Sequence, residues 1–379
     1  MVLKGYLEGY YGRLMSWNDR SKLLESLSTL GMDFYIYGPK EDPYHRVKWS
    51  EPYPPEILNH FKAFHNKALK EGIHVYFSLS PGIDYGKNVK NDARDLIAKI
   101  EQFIEIGFKN FAIFFDDLDS EKNALLGQQH GKILNQVFNL LDQGNDNSLI
   151  FCPTVYCESL SEGDLKDSMY LKALSNTIPK EIPMLWTGKE VVSETISNDD
   201  IESLRSVILN PVIIWDNYYA NDYCPNNFFI GPFKGRSVTD KTILGLGVNP
   251  TGLPITDSII LSQVKGTEST ESVLKQHQVP DAFTPLIPFF SGPFDTGTYL
   301  RGIQEIKAIK ELSYALCIEW KSDLQLEWAP FLWNFFNDLN LLQKFKESKN
   351  KKSLEAWASR RYSNPLLESI FIDKNDKGE

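Results

Sequence analysis

The stretch Phe111-Ala-Ile-Phe-Phe-Asp-Asp-Leu-Asp119 decides how the chain is read, because five consecutive apolar residues run straight into carboxylates. A short continuous apolar run reads as a strand buried on both faces. Two like charges on consecutive residues are costly unless something uses them. Successive strand side chains point to opposite faces, so Asp116 and Asp117 can both enter one pocket only if the strand ends there and the backbone bends. Proximity is then expected to leave one carboxyl protonated and one ionised near neutrality. The plain alternative is a solvated strand end or the cap of a helix starting near Glu121. A divalent cation is a further alternative, although no third carboxylate or histidine is arranged to complete its site.

The same design recurs to either side. β-rich runs at residues 3–9, 33–39, 74–80, 111–116, 149–156, 183–188, 212–217 and 243–249 alternate with helix-length amphipathic segments such as 21–30 and 56–70. A doubly wound open sheet shares this alternation, so the count of eight is what points to an α/β fold of the (β/α)8, TIM-type barrel class. Run after run closes on polar, Gly or Pro residues: Glu8-Gly9, Pro39-Lys40, Ser80-Pro-Gly82, Asp116-Asp117, Trp186-Thr-Gly188, Asp216-Asn217 and Asn249-Pro250. In a parallel barrel these C-terminal ends meet at one rim, where such barrels hold their active sites.

Beyond about residue 265 the pattern turns helical, with runs at 298–316, 331–345 and 353–361, and Pro280, Pro285, Pro288 and Pro293 punctuate the approach as a loop-rich junction. The expected division is a catalytic barrel over 1–265 and a smaller C-terminal helical domain over 266–379. Leu332, Phe335, Phe336, Leu339 and Leu342 supply an apolar helix face.

Composition narrows the function. A formal net charge of −10 argues against nucleic acid, an anionic membrane or a polyanionic substrate. Cys152, Cys157, Cys224 and Cys317 are too scattered for a disulfide framework and lack metal-ligand spacing, so they read as reduced thiols. No apolar run approaches a membrane span, and Met1-Val-Leu-Lys4 leads directly into a strand, so the chain as given reads as cytoplasmic. Aromatics are generous at 13%, and those that a core does not need often line sugar sites, where their flat faces stack on pyranose rings.

Two further stretches carry site-like chemistry. Tyr37-Gly-Pro-Lys-Glu-Asp-Pro-Tyr-His-Arg46 joins a strand end to a fixed turn, and Lys40 is placed to donate to a sugar hydroxyl or to be a plain surface lysine. Trp215-Asp-Asn217 through Asn221-Asp-Tyr223 gathers an indole for stacking with amides and carboxylates suited to hydroxyl pairs; loop capping is the bland alternative.

These segments together resemble the O-GlcNAcase family of glycoside hydrolases, family 84. Glu8-Gly-Tyr-Tyr-Gly-Arg13 is similar to its EGFYGR, Tyr37 to Arg46 to YAPKDDPYHR, Ser80-Pro-Gly-Ile-Asp84 to SPGLD, and Phe114-Phe-Asp-Asp117 to LFDD. Phe151-Cys-Pro-Thr-Val-Tyr-Cys157 resembles FCPTEYC, while Leu185-Trp-Thr-Gly188, Trp215-Asp-Asn217 and Ala220-Asn-Asp-Tyr223 repeat LWTG, WDN and ANDY. The resemblance implies a retaining β-N-acetylglucosaminidase with substrate-assisted catalysis, in which the 2-acetamido oxygen attacks the anomeric carbon to give an oxazoline. It implies that Asp116 orients the acetamido N–H, that Asp117 is general acid and then base, and that Tyr156 donates to the acetamido oxygen. Gly9, Lys40, Asn217, Asp222 and Asn249 would hold the hydroxyls, with Cys152, Trp186 and Trp215 shaping the acetamido pocket. No cofactor and no metal are implied. The implied partner is a β-GlcNAc glycoside or an O-GlcNAc-modified peptide or protein. Hyaluronan-type polymers by the same mechanism, or a catalytically weak sugar-binding barrel, are the alternatives. In some members the helical region pairs two subunits, so the resemblance also implies a homodimer through the C-terminal helices, beside a plain bundle core for Trp320, Trp328, Trp333, Phe335 and Phe336.

The departures are Leu14-Met15 where the family has Pro-Trp, Gly38 for Ala, and Val155 for Glu. They bear on the rim loops and on the preferred aglycone.

Overall fold

The computed structural model describes residues 2–85, 91–142, 147–295, 300, 302–348 and 357. Eight strands, β1 (Leu3–Glu8), β2 (Phe34–Tyr37), β3 (His74–Leu79), β4 (Asn110–Phe114), β5 (Ser148–Cys152), β6 (Met184–Trp186), β7 (Val212–Asp216) and β8 (Ile243–Val248), close into a barrel in chain order. Every pairing is parallel, and closure sets Leu3 opposite Gly245 and Tyr6 opposite Val248. The (β/α)8 expectation is met, with one irregularity. Helices α1 (Trp17–Leu30), α2 (Pro55–Glu71), α3 (Asp92–Glu105), α4 (Ala124–Leu141), α5 (Met169–Thr177) and α6 (Asn198–Arg205) follow the first six strands, but the connection 217–242 carries no helix.

Local chemistry fixes the element ends. Ser16 caps α1 by accepting from the Asp19 N–H, and Gly31 at φ 69° ends it. Pro55 opens α2, where a missing N–H costs nothing, and Gly72 at φ 74° closes it.

Inside the barrel, Leu7, Phe34, Ile36, Ala112, Phe114, Ile150, Cys152, Leu185, Ile213 and Trp215 form one packed cluster. Large and small residues interlock: a Cβ on Gly5 would lie 2.4 Å from the Phe34 ring, and one on Gly245 or Gly247 3.3 Å from it. Glu8, polar at a strand end, does not serve the rim. It is fully buried and accepts from Arg20 Nε (2.9 Å) and Nη2 (2.7 Å) and from the Tyr35 hydroxyl (2.5 Å), a satisfied internal ion pair.

By compactness the chain divides into Met1–Asn217 with Lys234–Gly252, and Tyr218–Phe233 with Leu253–Glu379. The expected division at 265/266 thus differs from the observed one, because α7 (Pro254–Lys265) goes with the C-terminal unit. The reason is local. Glu327 caps α7, accepting from the N–H groups of Ile255 (2.9 Å) and Thr256 (2.8 Å), and Trp328 Nε1 donates to Thr256 Oγ1 at 2.9 Å.

The second unit continues with α8 (Thr270–Gln276), a 3-10 helix Asp281–Phe289, α9 (Ile303–Ile318) and α10 (Asp323–Ser348). The proline-rich junction is therefore partly helical: Pro285 and Pro288 sit inside the 3-10 run. On α10 the predicted face holds for Leu332, Phe335, Leu339 and Leu342, all buried, with Phe336 half-buried. Trp328 is a core residue, ringed by Phe228, Phe283 and Trp320, whereas Trp333 is 43% exposed. The predicted helix 353–361 lies outside the described residues except Trp357, which is buried and donates to Asp338 Oδ1 at 2.6 Å. No helix among the described residues is long and apolar enough to cross a membrane.

Candidate active site

β4 stops at Phe114, and the chain bends at Asp117, whose φ of 53° is left-handed although the residue is not glycine. Such a conformation costs on the order of 1 kcal/mol and persists only where its surroundings hold it. Here the Thr154 hydroxyl donates to Phe115 O at 2.8 Å, and Arg46 Nη2 donates to Asp117 O at 3.1 Å. The bend turns the two carboxylates to different partners, with the Lys40 ammonium paired to Asp116 and acting on Asp117 through its charge.

Their environments differ. Asp116 is 4% exposed and pairs through Oδ2 with the buried ammonium of Lys40, while its buried Oδ1 has no donor among the described residues. Asp117 is exposed and each of its oxygens is engaged: Tyr156 donates to Oδ1 and Tyr11 to Oδ2, both at 2.7 Å. Lys40 Nζ lies 5.6 to 5.8 Å from the Phe114, Trp215 and Tyr11 rings, so aromatic walls surround the cation.

In the free site this arrangement runs against one expectation. Like-charge repulsion was to keep one carboxyl protonated, with Asp117 as the acid. Burial does push Asp117 up, but Lys40, the two phenol hydroxyls and Arg46 outweigh it and hold the carboxyl below its ordinary value. With substrate absent, Asp117 is therefore a carboxylate at neutral pH. The hydroxyls of Tyr156 and Tyr11 are pushed well up, first by burial and then by the Asp117 charge, so both remain neutral donors.

Four of the other predicted residues form a second network. Gly9 N donates to Asn249 Oδ1 (3.0 Å), Asn249 Nδ2 and Trp215 Nε1 both donate to Asn217 Oδ1 (2.8 Å), and Asn217 Nδ2 donates to Val191 O (2.8 Å). Gly9 is required by closeness, since a Cβ there would lie 2.5 Å from the Trp215 ring. Cys152 and Tyr156 belong to the buried cluster that contains Trp215 and Phe114. The Cys152 thiol is raised well above its usual value by burial and by Asp116, so it is a neutral wall. Trp186, 1% exposed at the end of β6, has an Nε1 with no acceptor among the described residues. Asp222 lies in the second compact unit, where it accepts from the Tyr223 N–H at 2.9 Å.

Tyr11 and Arg46 were not singled out from the sequence. Both lie inside quoted motifs, but Tyr10-Tyr11 gives no sign of which ring faces the carboxylates; the structure buries Tyr10 and leaves Tyr11 38% exposed. Two polar strand ends are structural: Glu8, described above, and Asp216, which binds Arg236 through Nε (2.6 Å) and Nη2 (2.7 Å). The departures also have local reasons. An alanine methyl at Gly38 would meet the Phe114 ring and Ser78 Oγ at 2.6 Å, and Val155 is fully buried where a Glu would need a partner. Among the described residues, no group of three or more His, Cys, Asp or Glu is gathered to hold a metal.

The sequence model of the β-N-acetylglucosaminidase family matches residues 4–270, the whole barrel. The chain belongs to that family. Protein O-GlcNAcase of Mus musculus and that of Rattus norvegicus are each 33% identical to it over 242 residues, covering 62% of this chain and 26% of theirs. The chain thus spans about a quarter of the length of the curated relatives it matches. A mutant of the Thermobaculum terrenum O-GlcNAc hydrolase superposes with a TM-score of 0.74 at 24% identity, covering 90% of this chain and 82% of that one. That likeness is one of fold. Within the β-N-acetylglucosaminidase family, the two adjacent carboxylates of this chain sit at the C-terminal end of β4, where a barrel carries its chemistry.

Proposed function

We propose that this chain hydrolyses terminal β-linked N-acetylglucosamine with retention, the sugar's own acetamido oxygen acting as nucleophile. The observation that carries the reading is the pair of inequivalent carboxylates: a buried Asp116 with one oxygen on Lys40 and the other lacking a donor, beside an exposed Asp117 held by two phenols. A buried acceptor without a donor is costly, and an amide N–H would satisfy it. In this reading the acetamido N–H donates to Asp116 Oδ1, which turns the carbonyl oxygen toward the anomeric carbon and stabilises the positive charge that develops as the oxazoline forms. Tyr156 donates to that carbonyl oxygen. Asp117 gives a proton to the leaving oxygen, and then takes one from the water that opens the ring.

Lys40, Gly9, Asn217 and Asn249 hold the sugar hydroxyls, and Cys152, Trp186 and Trp215 line the acetamido group. Because the amide groups of Asn217 and Asn249 are bound to each other, to Trp215 and to Gly9, they bring only their remaining N–H and lone pairs to the sugar. The curated relatives are protein O-GlcNAcases, which favours glycosylated Ser or Thr of proteins as the substrate. Pairing of two copies through α9 and α10 is supported by a cluster in which Trp333 stacks on Phe336 and Tyr314 lies tilted against both, with Tyr314 46% and Trp333 43% exposed.

The test is a series of aryl glycosides whose N-acetyl group carries none, one, two or three fluorines. Fluorine withdraws electrons from the amide oxygen, so kcat/KM should fall steeply along the series, with the β-anomer of the free sugar as first product by NMR. Rates indifferent to fluorination would contradict the amide as nucleophile.

A further inference from the structure

The two phenols on Asp117 are not equivalent. Arg46 Nη1 donates to the Tyr11 oxygen at 2.5 Å, and a guanidinium only donates. The single hydroxyl hydrogen of Tyr11 is therefore committed to Asp117 Oδ2, which must keep a lone pair for it. Arg46 also holds the Asp117 carbonyl through Nη2, so one side chain fixes both the strained peptide and the polarity of the hydrogen bond to its carboxylate. Tyr156 donates to Oδ1 with no donor on its own oxygen among the described residues, so its hydroxyl can turn to another acceptor.

We propose that Tyr11 and Arg46 are positioning residues that keep Asp117 Oδ2 an acceptor throughout turnover, so that the catalytic proton is carried on Oδ1 and is loaded there only when bound substrate draws Tyr156 away. The inference rests on the reading above that Tyr156 donates to the acetamido oxygen.

The proton balance follows from this assignment. In the free site Asp117 is a carboxylate with both oxygens accepting. When substrate engages Tyr156, Oδ1 loses its donor and takes a proton from solvent. That O–H bond breaks as the glycosidic oxygen leaves and takes the proton, which restores the carboxylate with Tyr11 still on Oδ2. In the second half Oδ1 accepts a proton from the attacking water, and releases it to solvent when product departs and Tyr156 returns. The groups facing Asp117 are consistent with this cycle. Lys40 and Arg46 bring positive charge, Asp116 is its chain neighbour, Tyr11 and Tyr156 are neutral donors, and the Cys152 thiol is kept neutral by burial.

The experiment is calorimetry of N-acetylglucosamine binding, a ligand with no titratable group, in buffers of different ionisation heat between pH 4 and 8. Wild type should take up a proton over a window set by Asp117 in the free and the bound states. Tyr156→Phe raises only the free state, so its uptake should shrink. Tyr11→Phe raises both states, so its window, and with it the alkaline limb of kcat for an alkyl β-N-acetylglucosaminide, should move up by about one pH unit. Binding by wild type without proton uptake would overturn the proposal, as would a Tyr11→Phe limb within about a third of a unit of wild type. Failure of wild type to hydrolyse any β-N-acetylglucosaminide is a separate result: it would overturn the function reading, and this inference with it.

Discussion

Replacing Lys40 by Met removes the ammonium while keeping an unbranched stem among the Tyr11, Phe114 and Trp215 rings. Asp116 is left as a buried carboxylate without its cation. Breaking a buried pair in this way typically costs about 3–5 kcal/mol. The loss has a ceiling, because the carboxyl can take a proton instead. That escape costs about 1.4 kcal/mol per pH unit above about 4, hence about 4 kcal/mol at pH 7 and about 1.5 kcal/mol at pH 5. A group that is neutral when folded and ionised when unfolded loses stability as pH rises, so the deficit of the variant against wild type should grow between pH 5 and pH 7. Asp117 contributes with the opposite sign. Its depressed carboxyl gives stability that is present above the unfolded value and lost as pH falls through the folded one; Lys40 is the largest charge lowering it, so the variant forfeits part of this contribution too, which adds to the deficit at both pH values. Urea unfolding of both proteins at pH 5 and 7 measures the difference, expected at about 1.5–2.5 kcal/mol. An equal deficit at both pH values would refute charge compensation as the role of Lys40.

Gly9→Ala should displace the Trp215 ring, since its Cβ would lie 2.5 Å from that ring; KM for an aryl glycoside should rise and Trp fluorescence should report the shift. The resemblance implies that Asp222 holds two hydroxyls, so Asp222→Ala should cost a few kcal/mol in kcat/KM with every substrate, and near wild-type kinetics would remove that role. Prolonged dialysis against a chelator should leave the rate unchanged, and a loss restored by a divalent ion would contradict the amide-nucleophile reading.

The barrel was legible because buried parallel strands read as apolar runs, and each such run in this chain ends in residues that a core has no use for. The bend at Asp116-Asp117 was legible in part: two carboxylates after Phe115 mark the end of the strand, while a solvated end or a helix cap would read the same. Polarity at a strand end did not distinguish a reacting group from a structural one, so Glu8 and Asp216 looked like Asp116 until Arg20 and Arg236 were seen on them. Their partners lie 12 and 20 residues away, on elements whose facing no periodicity fixes. The charge state of Asp117 is not legible in the sequence, because the groups that lower its carboxyl come from three separate strand ends, through Lys40 and Arg46, Tyr11, and Tyr156. The missing helix between β7 and β8 went unread as well, since a length that fits a helix does not require one.

The central claim is that Asp116 and Asp117 divide the work, one on the amide and one on the leaving oxygen. The measurement is log kcat/KM against leaving-group pKa for wild type, Asp116→Asn and Asp117→Asn. Asp117 is needed only when the leaving group is poor, so its variant should show a steep negative slope and recover much of the rate with a very acidic phenol. Asp116→Asn should lie about 100- to 1,000-fold below wild type with little change of slope. A steep slope in the Asp116 variant instead would reverse the two roles, and a glycosyl adduct trapped on either aspartate would contradict substrate assistance altogether.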